Sequence, residues 1–66
     1  MSMAYIRKWY GVPAKRGMRV RYNGEGKLKA ELGTITSACN LRLRIRLDGH
    51  KRSYIFHPTY GLEYLP

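Results

Sequence analysis

Alternating apolar and polar residues, interrupted at short intervals by turn residues, predict an all-β chain: five short strands curling into a small barrel behind a short N-terminal helical segment. Three observations carry the prediction. Leu41-Arg42-Leu43-Arg44-Ile45-Arg46-Leu47 alternates without a break, Met18-Arg19-Val20-Arg21-Tyr22 does the same, and Asp48-Gly49 follows as a strong hairpin signal. Sixty-six residues allow one domain and one small core, divided as residues 1–16, a helical segment and linker, and residues 17–66, the barrel.

Taken in order, Tyr5, Ile6, Trp9 and Tyr10 recur at spacings of one, three and four, so they read as one face of a short helix opened by Ser2 and stopped by Gly11, a face that packs on the rest of the domain in preference to a partner. Gly11-Val12-Pro13 ends it, because proline lacks the amide donor and holds the preceding residue extended. Lys15-Arg16-Gly17 is a basic turn. The first strand, residues 18–22, points Met18, Val20 and Tyr22 inward and Arg19 and Arg21 outward. Asn23-Gly24-Glu25-Gly26 is turn chemistry, and continuation through Lys27-Leu28-Lys29-Ala30 predicts a projecting arm. Leu32-Gly33-Thr34-Ile35-Thr36-Ser37 is the second strand, in which Gly33 marks a close backbone approach or a bulge.

The arginine-rich segment 41–47 is the third strand, with Leu41, Leu43, Ile45 and Leu47 in the core and Arg42, Arg44 and Arg46 in water. The following loop decides the face of 52–57. A four-residue loop pairs Leu47 with Arg52 and buries Tyr54 and Phe56; a three-residue loop pairs it with Lys51 and buries Ser53, Ile55 and His57. The first buries two aromatics and is preferred. His57-Pro58-Thr59-Tyr60-Gly61 reads as one turn of 3₁₀ helix, and residues 62–65 as a fifth strand.

Thirteen Lys and Arg against four Asp and Glu give a formal charge of +9, which points to a polyanionic partner. Nucleic acid, DNA or RNA, is the expected one, with Arg42, Arg44 and Arg46 as the central patch and Arg19, Arg21, Lys27 and Lys29 extending it. Residues on one face of a strand repeat every ~6.6 to 6.8 Å, about twice the ~3.4 Å rise per nucleotide. A membrane-surface role does not fit, since the basic residues lie on a strand pattern and not on an amphipathic helix. No apolar run reaches the ~18 residues of a membrane span, and the N-terminus lacks a secretory signal, so a soluble, cytoplasmic protein is expected.

The competing expectation is a protein-interaction adaptor that docks through Trp9, Tyr10, Tyr60 and Tyr64. No catalytic constellation emerges, because Glu25, Glu31, Asp48 and Glu63 are scattered over loops and strand ends. Cys39, His50 and His57 lack a zinc spacing, and a single cysteine excludes an internal disulfide. The chain is therefore expected to be neither an enzyme nor a holder of a metal or cofactor. His57 reads as a packed or hydrogen-bonded structural residue.

Gly17-Met18-Arg19-Val20, then Gly33-Thr34-Ile35, then Leu43-Arg44-Ile45-Arg46-Leu47-Asp48-Gly49 resemble the KOW-type arrangement of ribosomal and transcription-elongation proteins. The resemblance covers roughly residues 17–65 and implies an SH3-like barrel whose loops and basic faces contact RNA or protein. Tyr10-Gly11-Val12-Pro13-Ala14-Lys15-Arg16-Gly17 and His57-Pro58-Thr59-Tyr60 also look like small uncharacterised proteins of phages and prophages. Peptide-binding SH3 domains share the turn at 57–60, which implies a proline-peptide groove, but they carry an acidic first loop and paired tryptophans, whereas this loop is basic and Trp9 lies outside the barrel. The small plasmid-borne dihydrofolate reductase is similar at Gly17-Met18-Arg19-Val20 and Gly33-Thr34-Ile35, yet where that family carries Val-Gln-Ile-Tyr this chain has Ser53-Tyr54-Ile55-Phe56, and it contains no glutamine.

Overall fold

Strict alternation along 42–47 makes a strand with one dry and one wet face, and the rest of the sheet forms around it. The computed structural model describes residues 3–23 and 30–65. Within them lie α1 (Met3–Tyr10), β1 (Arg19–Tyr22), β2 (Glu31–Cys39), β3 (Arg42–Leu47), β4 (Tyr54–Phe56) and β5 (Leu62–Tyr64). The strands form one antiparallel sheet in the order β4-β3-β2-β1-β5, so β4 and β5 are its two edges and the sheet is not closed. The projecting arm expected at 27–30 falls largely outside the described residues, as do Ser2 and residues 24–26.

On β3, Leu43, Ile45 and Leu47 are buried and the three arginines are exposed. Ile45 stands opposite Ile35 of β2 and Tyr54 of β4, and Leu47 stands opposite Gly33 of β2, which in turn faces Val20 of β1. Gly33 is where the sheet is tightest. A Cβ there would lie 2.9 Å from Ile45 Cγ2 and 3.0 Å from both Arg46 O and Leu47 Cδ2. The close approach expected at Gly33 is present. The irregularity in β2 falls later, between Ile35 and Ser37, where the register shifts at Thr36. A bulge bends its strand and increases twist, and Thr36 Oγ1 donates to Arg44 O at 3.1 Å while lying 2.9 Å from Ser53 Oγ.

These two features let the sheet curl on its apolar face. Tyr22 of β1 meets Phe56 of β4 edge to face, with ring centroids 4.8 Å apart. In a flat sheet the two strands, three spacings apart in the strand order, would stand ~14 Å from one another. Curvature closes the gap.

Both tight connections follow local chemistry. Asn40 adopts φ 54°, which leaves Cys39 opposite Arg42 across a two-residue turn. Leu41, expected as the first residue of the strand, therefore lies in the turn, and β2 runs two residues further than its β-branched stretch implied. The pairs Leu43↔Phe56, Arg44↔Ile55 and Ile45↔Tyr54 set the register that the four-residue loop required, with Gly49 at φ 86° in the connection. Phe56 packs on the core, but Tyr54 is exposed and meets His50 edge to face at 5.9 Å. A three-residue edge strand has no neighbour to cover its first side chain.

The helix divides its aromatics. Ile6 and Ala14 are fully buried, Met3, Tyr10 and Val12 pack on the core that these two join, and Tyr5 and Trp9 face water. Consecutive helical residues lie about 100° apart, so Tyr5 with Ile6, or Trp9 with Tyr10, cannot share a narrow stripe. Met3, Ile6 and Tyr10 form the inward face instead. Gly11 at φ 68° donates to Arg7 O and ends the helix, and Arg7 Nη1 donates to Ala14 O at 2.7 Å, tying the linker back. Residues 58–61 form bends, not the 3₁₀ turn expected over 57–61: Thr59 N donates to His57 Nδ1 at 3.1 Å and Tyr64 Oη donates to Pro58 O at 2.6 Å. His57 is thus hydrogen-bonded.

Three substitutions test this packing. Gly33→Ala places a methyl group where Ile45, Arg46 and Leu47 leave no room and should destabilise by ~1 to 3 kcal/mol; an unchanged denaturation midpoint would show that the approach imposes no constraint. Ile45→Ala should cost ~2 to 5 kcal/mol, while Arg44→Ala on the wet face should change stability by no more than ~0.5 kcal/mol. The reverse ranking in urea denaturation would mean that the faces of β3 are inverted.

Candidate functional site

The outward face of the sheet collects five arginines from two strands. Register places Arg19 opposite Thr34 and Thr34 opposite Arg46, while Arg44 lies between Ser37 and Ile55, and Arg21 between Leu32 and Glu63. Since the sheet curls toward its apolar side, this arginine face is the convex one. Arg42, Arg44 and Arg46 stand in file along β3, spaced by the ~6.6 to 6.8 Å repeat of alternate strand residues.

The five are not equivalent. Arg19 forms a two-pronged pair with Asp48, Nη1 to Oδ1 at 2.9 Å and Nη2 to Oδ2 at 2.5 Å, and Nη1 also donates to Thr34 Oγ1 at 2.7 Å. Arg21 Nη1 lies 3.3 Å from both carboxylate oxygens of Glu63. These two arginines, expected to extend the patch, are already engaged by carboxylates. Among the described residues Arg42, Arg44 and Arg46 have no ion-pair partner. Arg42 Nη1 donates to Tyr10 Oη at 3.0 Å and to Leu41 O at 3.1 Å, and Arg44 Nη2 lies 3.8 Å from Cys39 Sγ. Five guanidinium groups less two carboxylates leave a surplus of three positive charges, concentrated on β3. Lys27 and Lys29 lie outside the described residues.

Hydrogen bonding from Arg19 is the main reason the Asp48 carboxyl titrates below its ordinary value, opposed by desolvation and aided by the charges of Arg19 and Arg46. The Arg19 guanidinium is raised in turn, chiefly by the same hydrogen bond. Burial pushes the Tyr64 hydroxyl up to about 12.

The four aromatics expected to form one docking patch do not stay together. Tyr10 and Tyr64 turn inward, Tyr10 Oη donating to Leu41 O at 3.0 Å and Tyr64 Oη to Pro58 O, because a small core needs their rings and their hydroxyls need acceptors. Trp9 and Tyr60 remain exposed, at 62% and 63%. Trp9 stacks instead on Tyr5, which the sequence had assigned to the core-facing side of the helix. Spacing gave the only available signal: residues 5 and 9 are one helical turn apart and share a side. The Arg19–Asp48 pair carried none, since its partners are 29 positions apart.

Among the described residues no group of His, Cys, Asp and Glu is placed to hold a metal ion, and no helix is long and apolar enough to cross a membrane. Compared with protein-family models, curated proteins and solved structures, the chain matches none.

Two titrations check the electrostatics. The Asp48 pairing stabilises the fold above the ordinary carboxyl value and is lost as pH falls through the lowered folded value; in Arg19→Ala the Asp48 carboxyl carbon should titrate at higher pH by NMR, and an unmoved midpoint would remove the pair as its cause. Tyr64 has a raised folded value, so its contribution is complete below pH 10 and is lost as pH rises toward about 12. Tyr64→Phe should flatten the alkaline limb of a stability–pH curve, and an identical limb would assign that limb elsewhere.

Proposed function

We propose that this chain is a small nucleic-acid-binding module, taking DNA or RNA, that grips phosphates through Arg42, Arg44 and Arg46 with little sequence selectivity. The observation that supports it most is the file of three arginines, without carboxylate partners among the described residues, beside two arginines that have them. A surface that was basic only for solubility would not need Asp48 and Glu63 to pair with Arg19 and Arg21 and not with the file on β3. Guanidinium groups match phosphate oxygens in pairs, and their weak hydration lowers the cost of contact. Base edges are read by elements that enter a groove, whereas a convex sheet face meets the backbone.

The fold belonging to this reading is an SH3-like barrel of the KOW type, in a cytoplasmic setting. Its supports are the meander β1-β2-β3-β4 with β5 returning to β1, and the Tyr22–Phe56 contact across the curled sheet. The alternative is a protein adaptor using exposed aromatics. Exposure of Trp9 and Tyr60 favours it, and the inward turn of Tyr10 and Tyr64 removes half of its surface.

Neutralising about three phosphates should give a slope of log K against log salt of roughly −2.7 on duplex DNA. Arg44→Ala should reduce the slope by ~1 and weaken binding about equally across sequences. Salt-independent binding, or none to any nucleic acid at low salt, contradicts the reading.

A further inference from the structure

Tyr5 and Trp9 are one helical turn apart on α1, with rings stacked at a centroid distance of 6.0 Å and 11° from parallel. They are 43% and 62% exposed, and with Lys8 they line a recess of about 420 Å³. Single apolar side chains on a surface are ordinary. Two aligned rings beside an ammonium group, on a helix pinned to the core by the fully buried Ile6, form a fixed platform. The helix that carries the platform meets one end of the arginine file, where Tyr10 Oη accepts from Arg42 Nη1 at 3.0 Å.

Resting on the phosphate-binding reading, we propose that Tyr5, Lys8 and Trp9 form a stacking site for an unpaired nucleobase, so that the preferred ligand is single-stranded nucleic acid. Every base offers a π-face to the exposed indole and every nucleotide carries a phosphate for Lys8. A duplex keeps its bases stacked within itself and offers this site only charge. An acidic protein segment shares the charge but lacks flat rings at nucleotide spacing. The strand then continues from the platform past Arg42 toward Arg44 and Arg46.

Trp9 is the chain's single tryptophan, so indole fluorescence reports on this site alone. Three probes of equal length separate the contributions at low salt: an oligodeoxythymidylate, its abasic phosphodiester counterpart and a duplex. The thymidylate should quench Trp9, whereas the abasic strand should bind without quenching. By anisotropy, Trp9→Ala should weaken thymidylate binding about ten-fold while leaving duplex binding unchanged, and Trp9→Phe should retain most of the affinity. Equal binding of all three probes, unaffected by Trp9→Ala, overturns the stacking site and leaves the arginine file standing. Failure of all three to bind overturns both. Quenching by polyglutamate as strong as by thymidylate assigns the recess to an acidic protein, and an emission shift with protein concentration alone assigns it to a second copy; either result overturns the proposal.

Discussion

A single sheet this small has one apolar face and little else to bury it against, so the sheet must bury that face largely against itself. Everything in the core follows from this constraint. Gly33 removes the side chain that would stand between Val20 and Leu47, the bulge at Thr36 bends the longest strand, and Tyr22 reaches Phe56 across the resulting hollow. The open end is filled by Ile6 and Ala14, both fully buried, which makes the N-terminal segment part of the same core and not an appendage. With so few buried side chains, each large one carries a substantial share of the ~3 to 5 kcal/mol that a core of this size supplies.

Curling toward the apolar side makes the other side convex, which sets the character of the arginine face. Neighbouring guanidinium groups would repel one another if crowded, and the molecule meets this by separation along β3 and by pairing across the sheet. Asp48 and Glu63 neutralise Arg19 and Arg21 on β1, while β3 keeps its charge. Exposed ion pairs contribute little to stability. Their larger effect here is on the pattern of potential, a neutralised half beside a positive file.

What the sequence made legible is what depends on local periodicity. Both faces of β3 and the inward set of β1 follow from alternation, since a slip of one residue would exchange core and solvent; the four-residue loop was preferred for burying Tyr54 and Phe56, of which only Phe56 packs on the core. What was not legible depends on partners distant in the chain or on the finite width of a face. Arg19 and Asp48 meet only once β1, β2 and β3 are aligned, and nothing in either local sequence marks the other. Tyr5 and Trp9 were assigned inward because four aromatic or aliphatic positions clustered, yet the helix has room for only one stripe and Ile6 with Tyr10 takes it. Asn40 did carry the signal for its turn, as a residue that accepts positive φ cheaply, but alternation in 41–47 extended the third strand one residue into it.

The central claim is that the fold and the proposed phosphate binding occupy opposite faces of the same sheet, and amide and arginine Nε–Hε mapping by NMR addresses it directly. A phosphodiester oligomer added at low salt to uniformly ¹⁵N-labelled protein should shift the Nε–Hε resonances of Arg42, Arg44 and Arg46 in fast or intermediate exchange, move those of Arg19 and Arg21 less, and leave the amides of Val20 and Ile35 in place. Shifts spread evenly over all arginines, or largest at Arg19 and Arg21, would contradict the account.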